Sequence, residues 1–203
     1  SQTLDIAREL EDDFSIRALS AYSSWRLLAD QINEFRPDLA VLGNKEHRQE
    51  FEQRLSHQDT KLLYGVDQLE TLAEESEADV VLNSLVGFSG FVPTVKALKA
   101  GKKVALANKE SLVVGGALIN QILDETGAEL IPVDSEHSAM LQCLIGESRD
   151  TIEKIIITAS GGPFREWTKE EMKHITVEEA LEHPNWSMGA KITVDSATMM
   201  NKG

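Results

Sequence analysis

The apolar run of residues 130–133 is followed directly by side chains able to do chemistry, Asp134, Glu136 and His137. In an extended segment, residues two apart point to the same side, so we expect the carboxylates of Asp134 and Glu136 to lie close together. Carboxylates that close repel each other unless one is protonated or a cation lies between them, and hard oxygen ligands suit Mg²⁺ or Mn²⁺. The alternative is a pair of solvated charges at the start of the next helix, where negative charge is favourable.

Two further segments place special residues after apolar runs. Gly87 and Gly90 lie between a predicted strand and a predicted helix, where glycine lets a ligand approach the backbone; the alternative is a tight turn that only needs glycine conformations. Asn108, Lys109 and Glu110 follow a fully apolar strand. A lysine there can hold a cofactor ribose or a substrate oxygen, and the alternative is a solvated charge pair at a helix start.

Hydroxyl, amide and ammonium groups suited to a phosphate appear near the end of the chain. Ser160 followed by Gly161 offers a hydroxyl and an unhindered N–H, and Ser196, Asn201 and Lys202 offer further donors. The alternative is that the serines are ordinary turn residues.

The segment HPNWSMG, which begins at His183, indicates a loop that closes over a ligand. Pro184 and Gly189 bracket Trp186 and Met188, apolar groups that a loop has little reason to expose. The alternative is that Trp186 packs on the core.

The elements that must position these residues alternate along the chain. Short β-branched runs follow amphipathic stretches, which predicts a doubly wound, mostly parallel α/β sheet of the Rossmann-like class. We predict strands at 15–21, 38–43, 61–65, 78–86, 102–108, 129–134 and 153–160. We predict helices at 2–10, 25–35, 46–55, 67–76, 91–100, 112–125 and 138–144.

The pattern changes after Asp134, which predicts a nucleotide-binding domain over 1–134 and part of a second α+β domain over 135–203. In this second part, two short helices with Thr168 and Thr176 as caps are expected, and the alternation of residues 191–200 predicts a strand.

Composition narrows the classes of function. The net charge of −14 argues against nucleic-acid and anionic-membrane binding, which need a basic surface. The one cysteine, Cys143, excludes an internal disulfide, which fits a reducing compartment. We therefore expect a cytoplasmic protein, with a plastid protein stripped of its transit peptide as the alternative.

Four motifs, ALANKESLV, PVDSEHSA, TASGGPF and HPNWSMGAKITVDSATMMNKG, occur in an order and spacing that resemble the 1-deoxy-D-xylulose 5-phosphate reductoisomerase family. The resemblance implies an NADPH-dependent enzyme that also needs Mn²⁺ or Mg²⁺. It implies rearrangement and reduction of a sugar phosphate, 1-deoxy-D-xylulose 5-phosphate, to 2-C-methyl-D-erythritol 4-phosphate. It also implies a homodimer.

The resemblance carries roles onto particular residues of this sequence. Lys109, Asp134 and Glu136 resemble the catalytic residues, and the two carboxylates resemble two of three metal ligands. The residues that resemble substrate contacts are Ser135, Ser160, His183, Trp186, Ser196, Asn201 and Lys202. The residues that resemble coenzyme contacts are Gly87, Asn108, Lys109, Glu110, Met188 and Gly189.

The sequence departs from the family in ways that set further expectations. The family's Gly-rich phosphate loop is expected before Ser1 and its third metal-ligand Glu beyond Gly203, so we expect residues 1–203 alone to be inactive. Tyr22 and Ser23 stand where the family has a glycine and a basic residue, and Ser23, Ser24 and Arg26 are candidates to replace them. The alternatives are another Rossmann-type NAD(P)-dependent oxidoreductase and a non-catalytic binding module.

Overall fold

The structure, a computed structural model, describes residues 2–202. The outer limits of the two predicted domains, Ser1 and Gly203, lie outside the described residues. The first part of the chain alternates strands and helices as predicted. Its strands are β1 Ala18–Ala21, β2 Leu39–Leu42, β3 Lys61–Tyr64, β4 Val80–Asn83, β5 Lys103–Leu106 and β6 Leu130–Pro132.

The helices predicted between these strands are present, with ends that differ by a few residues. They are α1 Gln2–Glu9, α2 Trp25–Phe35, α3 Arg48–Arg54, α4 Gln68–Glu75, α5 Phe91–Lys99, α6 Glu110–Thr126 and α7 Ser135–Leu144. Over residues 2–202, no helix is long and apolar enough to cross a membrane.

All strand pairings are parallel, which confirms the predicted α/β class. The strands form two sheets, in the orders β1-β2-β3 and β4-β5-β6, rather than the one continuous sheet that was predicted. Within residues 2–202, no strand of the first sheet forms backbone hydrogen bonds with a strand of the second. Alternation along the sequence predicts the strands, but the joining of sheets depends on long-range pairing.

The core of the first sheet lies between β2 and the helices α2 and α3. Leu28, Ala29 and Ile32 recur at helical spacing on one face of α2 and pack with Phe51 of α3. All four residues of β2 are buried, so the strand is covered on both faces, as expected for a strand inside a parallel sheet.

The core of the second sheet lies between β5 and the helices α4, α5 and α6. Val104 and Leu106 of β5 pack with Leu98 of α5 and with Ile119 and Ile122 of α6. All five side chains are buried. This packing fixes the part of α6 that contains Ile119 and Ile122 against β5, the strand that precedes the helix.

A second compact unit begins at Gln142, and the first ends at Leu141, so the predicted boundary at Asp134 lies inside the first unit. The second unit contains the short helix α8 Val177–Ala180 and the helix α9 Ala190–Thr198. Thr176 caps α8 with reciprocal hydrogen bonds to Glu179, as predicted. Thr168 makes the same pair of hydrogen bonds with Glu171, but the short helix there is the 3₁₀ turn Glu171–His174, whose N-cap is Glu170, so Thr168 is not its cap residue.

The prediction of a strand at 153–160 is wrong, because these residues form neither helix nor strand. A strand exists only through its hydrogen bonds to a neighbour, and no described strand pairs with this segment. Ile155, Ile156 and Ile157 are all exposed there. The apolar composition was read correctly, but the pairing that it requires is absent from residues 2–202.

The prediction of a strand at 191–200 is also wrong, because Ala190–Thr198 is the helix α9. Its β-branched residues favour a strand, yet several are accommodated by helical contacts. The hydroxyls of Thr193 and Thr198 donate to the carbonyls of Gly189 and Val194, four residues earlier, at 3.1 and 2.8 Å. The residues that α9 buries on one face are Thr193 and Ser196. The helical spacing of its buried positions is therefore shown by small polar residues.

We predict that Ile119→Ala lowers the free energy of unfolding by about 3 kcal/mol, because it leaves a cavity between α6 and β5. The control, Val113→Ala on the same helix, changes it by less than about 0.5 kcal/mol, since Val113 is 82% exposed. Urea denaturation followed by circular dichroism measures both. Equal losses in the two variants would contradict the packing of α6.

Candidate active site

Three charged side chains meet at the carboxyl ends of β5 and β6. The Lys109 ammonium donates to Glu136 Oε2 at 2.9 Å and lies 3.7 Å from Asp134 Oδ2. His137 Nδ1 lies 2.7 Å from the other Asp134 oxygen, Oδ1. The Asp134 side chain is only 10% exposed. We call Lys109, Asp134, Glu136 and His137 the carboxylate–lysine cluster.

Strand pairing explains why residues so far apart in sequence meet here. Leu106 of β5 pairs with Pro132 of β6, and the N–H of Val133 donates to the Leu106 carbonyl at 2.9 Å. Lys109 and Asp134 therefore leave the sheet side by side. The carboxyl ends of parallel strands are where open α/β sheets bind ligands, and the structure brings these predicted site residues together at that edge.

The expectation that Asp134 and Glu136 lie on one extended segment is wrong. Asp134 directly precedes α7, and Glu136 lies in the first turn of that helix. Negative charge is favourable at a helix amino end, whereas the Lys109 ammonium at the start of α6 is not. The carboxylates still converge, because both turn toward Lys109 and offset its unfavourable position.

The chemistry of this donor set fits a divalent cation. Asp134 Oδ2 is buried and has no hydrogen-bond partner within the described part of the chain, so an anionic oxygen lacks full compensation. Two carboxylates directed at one ammonium are also hard oxygen ligands for Mg²⁺. No group of three or more His, Cys, Asp or Glu side chains among residues 2–202 is placed to hold a metal. Among the described residues, Asp134 and Glu136 are the carboxylates that converge at this point.

Of the predicted coenzyme contacts in the first unit, Asn108 and Glu110 flank Lys109 in sequence, whereas Gly87 lies after β4. Gly87 has a φ of +65° with open space where a Cβ would be. Lys109 and Glu110 start α6, and the Asn108 side chain before them is 1% exposed. Asn108 thus turns inward, and the role of these residues in coenzyme binding stays a prediction.

In the second unit, Ser160, His183 and Ser196 form what we call the serine–histidine cluster. The Ser160 hydroxyl lies 3.2 Å from His183 Nε2 and 3.4 Å from the Ser196 hydroxyl. Residues from two separate motifs, TASGGPF and HPNWSMGAKITVDSATMMNKG, are thus brought together. Hydroxyl and imidazole donors that converge on one point suit an oxyanion.

The contacts of His183 fix which of its nitrogens carries the proton in the neutral ring. Nδ1 accepts from the backbone N–H groups of Asn185 and Trp186 at 3.1 and 3.2 Å. An accepting nitrogen carries no hydrogen, so the proton lies on Nε2, which faces Ser160. The Trp186 ring stacks on His183 with centroids 5.0 Å apart. His183 therefore presents a donor to the serine–histidine cluster.

Glycine makes this cluster possible. Gly161 and Gly162 both have positive φ, and a Cβ on Gly162 would lie 2.6 Å from the Ser196 carbonyl oxygen. The chain after Ser160 can thus pack directly on the backbone of α9, which brings the two serine hydroxyls together. The sequence prediction used Gly161 as a donor and missed Gly162 as the point of close packing.

The remaining predicted contacts of the second unit lie near α9. Asn201 and Lys202 are half-buried in the turn after the helix, and Gly189 precedes it. Asn201 Oδ1 is buried with no hydrogen-bond partner in the described structure. Met188 is half-buried, and Trp186 is 59% exposed, so the alternative that Trp186 packs on the core does not hold.

Two buried residues next to the site escaped the sequence prediction. Asn83 ends β4 and Thr94 lies in α5, and both have side chains that are almost fully buried and hydrogen-bonded. A polar residue at the end of an apolar strand was the available signal for Asn83. That signal was used for Asn108 and not for Asn83.

Comparison with known proteins agrees with this geometry. Residues 1–116 match the family described as 1-deoxy-D-xylulose 5-phosphate reductoisomerase, and residues 130–203 match the C-terminal domain of the same family. The reductoisomerase of Chloroherpeton thalassium is 49% identical over 203 residues, which are 100% of this chain and 52% of the relative. That of Clostridium kluyveri is 48% identical, with 100% and 53% covered.

Solved structures show the same similarity. A reductoisomerase in complex with NADPH, fosmidomycin and magnesium superposes with a TM-score of 0.88 at 37% identity, covering 98% of this chain and 52% of that one. The Zymomonas mobilis enzyme in complex with NADPH gives 0.88 at 40% identity, with 98% and 51% covered. The chain spans about half the length of the curated relatives it matches. The chain therefore belongs to the 1-deoxy-D-xylulose 5-phosphate reductoisomerase family.

Proposed function

We propose that the complete protein containing this chain converts 1-deoxy-D-xylulose 5-phosphate into 2-C-methyl-D-erythritol 4-phosphate by rearrangement and reduction, with NADPH and a divalent metal. The observation that carries the proposal is the convergence of Lys109, Glu136 and Asp134 at the ends of paired strands, in a chain of this family. A related structure holds NADPH, fosmidomycin and magnesium, which supports the same cofactors here.

The carboxylate–lysine cluster has the groups that the reacting end of the substrate needs. When bound, a divalent metal supplies Lewis-acid polarisation of substrate oxygens, and Asp134 and Glu136 are the side chains that would hold it. Lys109 donates to a substrate oxygen and offsets the negative charge that develops there. Ser135 is exposed between the carboxylates and supplies a hydroxyl for substrate.

The serine–histidine cluster has the groups that a phosphate needs. Ser160 and Ser196 donate from their hydroxyls, and His183 donates from Nε2 because its Nδ1 is occupied by two backbone N–H groups. Asn201 and Lys202 supply further donors. A phosphate held away from the reacting carbons contributes binding energy that orients the substrate. Trp186, stacked on His183, covers the ligand and excludes water.

The proposed coenzyme is NADPH, bound along the carboxyl ends of the strands. Gly87 lets the coenzyme approach the backbone, and the family resemblance implies that Met188 and Gly189 also contact it. The exposed Ser23 and Arg26 would recognise the 2′-phosphate, since Tyr22 and Ser23 replace the family's usual residues. The hydride is supplied by the nicotinamide.

Family membership and net charge support further proposals on the metal, the oligomeric state, the location and the binding partners. We propose that Mn²⁺ can replace Mg²⁺, because both are hard cations that prefer oxygen ligands. We also propose a cytoplasmic homodimer. The net charge of −14 supports a protein that binds neither nucleic acid nor anionic membranes.

We predict that Asp134→Asn and Glu136→Gln each lower kcat of the complete protein about 100-fold or more, because each removes a charge that holds the metal. The measurement is Mg²⁺-dependent oxidation of NADPH with the sugar phosphate. The controls Asp150→Asn and Glu147→Gln make the same changes at exposed positions and leave kcat unaltered.

Titration of Mn²⁺ by electron paramagnetic resonance gives a second readout in the absence of turnover. Full Mn²⁺ affinity in Asp134→Asn would contradict the metal assignment. A wild-type protein that binds NADPH and metal without turnover would instead support a non-catalytic binding module.

We predict that Ser160→Ala and Ser196→Ala each raise KM for the sugar phosphate about tenfold with a smaller change in kcat, because each removes a hydrogen bond to a charged group. Ser148→Ala, an exposed serine of the same unit, is the control and leaves KM unaltered. Steady-state kinetics at saturating NADPH measure all three. An unchanged KM in both cluster variants would contradict the phosphate assignment.

A further inference from the structure

A buried amide just before α6 holds the loop that follows β4. The Asn108 side chain donates to the carbonyl oxygens of Leu85 and Gly87 at 2.5 and 2.8 Å. Its own oxygen accepts from the N–H of Ser111 at 3.0 Å and from the Ser111 hydroxyl. An amide side chain has two donors and one oxygen with two lone pairs, so every hydrogen-bonding position of Asn108 is occupied.

A second buried amide holds the other end of the same loop. Asn83, 4% exposed, donates to the Gly90 carbonyl and to the Thr94 hydroxyl, both at 2.7 Å, and accepts from the Leu85 N–H at 3.1 Å. The Thr94 hydroxyl in turn donates to the Gly90 carbonyl at 2.8 Å. The two asparagines thus contact residues 85, 87 and 90 of a loop only six residues long, from 85 to 90.

Close packing joins the two amides into one assembly. A Cβ on Gly90 would lie 2.7 Å from Asn108 Cγ, so the loop backbone lies directly against the amide. Further along α6, the Phe91 ring occupies the space of a Gly115 Cβ, and the helix is kinked at Gly115 with φ −142° and ψ 30°. The first turn of α6 therefore has its own direction, set by contacts to α5 and to the loop.

These contacts lie directly behind the proposed reaction site. Lys109 follows Asn108 in the chain, and Gly87, whose carbonyl Asn108 holds, is a predicted coenzyme contact. The Asn108 side chain is too buried and too fully bonded to reach a ligand. Its effect must act through the groups it fixes, the loop on one side and Lys109 on the other.

We propose that Asn83 and Asn108 are positioning residues: their buried amide network holds the loop of residues 85–90 and the start of α6 in one arrangement, which sets the coenzyme-binding backbone against Lys109. The proposal rests on the proposed function for its consequence in catalysis. The network itself is supported by hydrogen bonds within the protein and does not depend on a ligand. Losing one amide leaves buried carbonyls without donors, so the loop departs from its position.

The test compares Asn108→Ala and Asn108→Asp with Asn120→Ala, which changes an exposed asparagine of α6, in the complete protein. Asn108→Asp keeps the shape but turns an anionic oxygen toward carbonyl oxygens. We expect both Asn108 variants to weaken NADPH binding, measured by coenzyme fluorescence, about tenfold and to lower kcat, while KM for the sugar phosphate changes little. The control behaves as the wild type.

Amide hydrogen exchange tests the proposal independently of catalytic activity. Exchange at residues 85–90 is expected to rise about tenfold or more in the Asn108 variants, with the amides of β1–β3 unchanged. Unchanged exchange in the loop, or an equal rise throughout the protein, would overturn the positioning role. A wild type that binds no NADPH would overturn the proposed function alone, because the exchange result stands independently.

A second variant covers the case in which Asn108 variants do not fold. Thr94→Val keeps the volume of a fully buried side chain and removes only its hydrogen bonds to Asn83 and Gly90. We expect a smaller but still local rise in exchange at residues 85–90 and about threefold weaker NADPH binding. No local rise in this variant would count against the network.

Discussion

The ion pair between Lys109 and the carboxylates of Glu136 and Asp134 is the interaction on which the site depends. It forms because β5 and β6 are paired in parallel, so that chain segments leaving the two strands emerge together. The core between α6 and β5 fixes the helix that begins with Lys109. The Lys109 ammonium is thereby held between two carboxylates at the edge of the sheet.

How far the sequence predicts the fold depends on whether the information is local. The helix Trp25–Phe35 was predicted with correct ends because its apolar spacing and the following Pro37 are local signals. The helix at Ala190–Thr198 was missed, because β-branched residues favoured a strand and its buried face is polar. The segment 153–160 and the division into two sheets depend on pairing partners, which no window of sequence contains.

The candidate site shows the same division. Lys109, Asp134 and Glu136 were singled out because charged residues after apolar strands are conspicuous, and the structure brings them together, although the helical start at Ser135 was not foreseen. Asn83 and Gly162 were missed because their importance lies in what they contact, a loop carbonyl and the backbone of α9. Residues that bind can be predicted from their chemistry, whereas residues that support them are recognised only when the packing is known.

The fixed proton of His183 has a consequence for the choice of ligand. Because two backbone N–H groups occupy Nδ1, the neutral ring cannot turn its accepting nitrogen outward when a different molecule arrives. The neutral ring therefore donates a hydrogen bond to a ligand atom that offers a lone pair. It cannot accept a hydrogen bond from an N–H or O–H group of the ligand. A ligand atom that offers only a hydroxyl oxygen is a weaker acceptor than an oxyanion and therefore gains less from this donor.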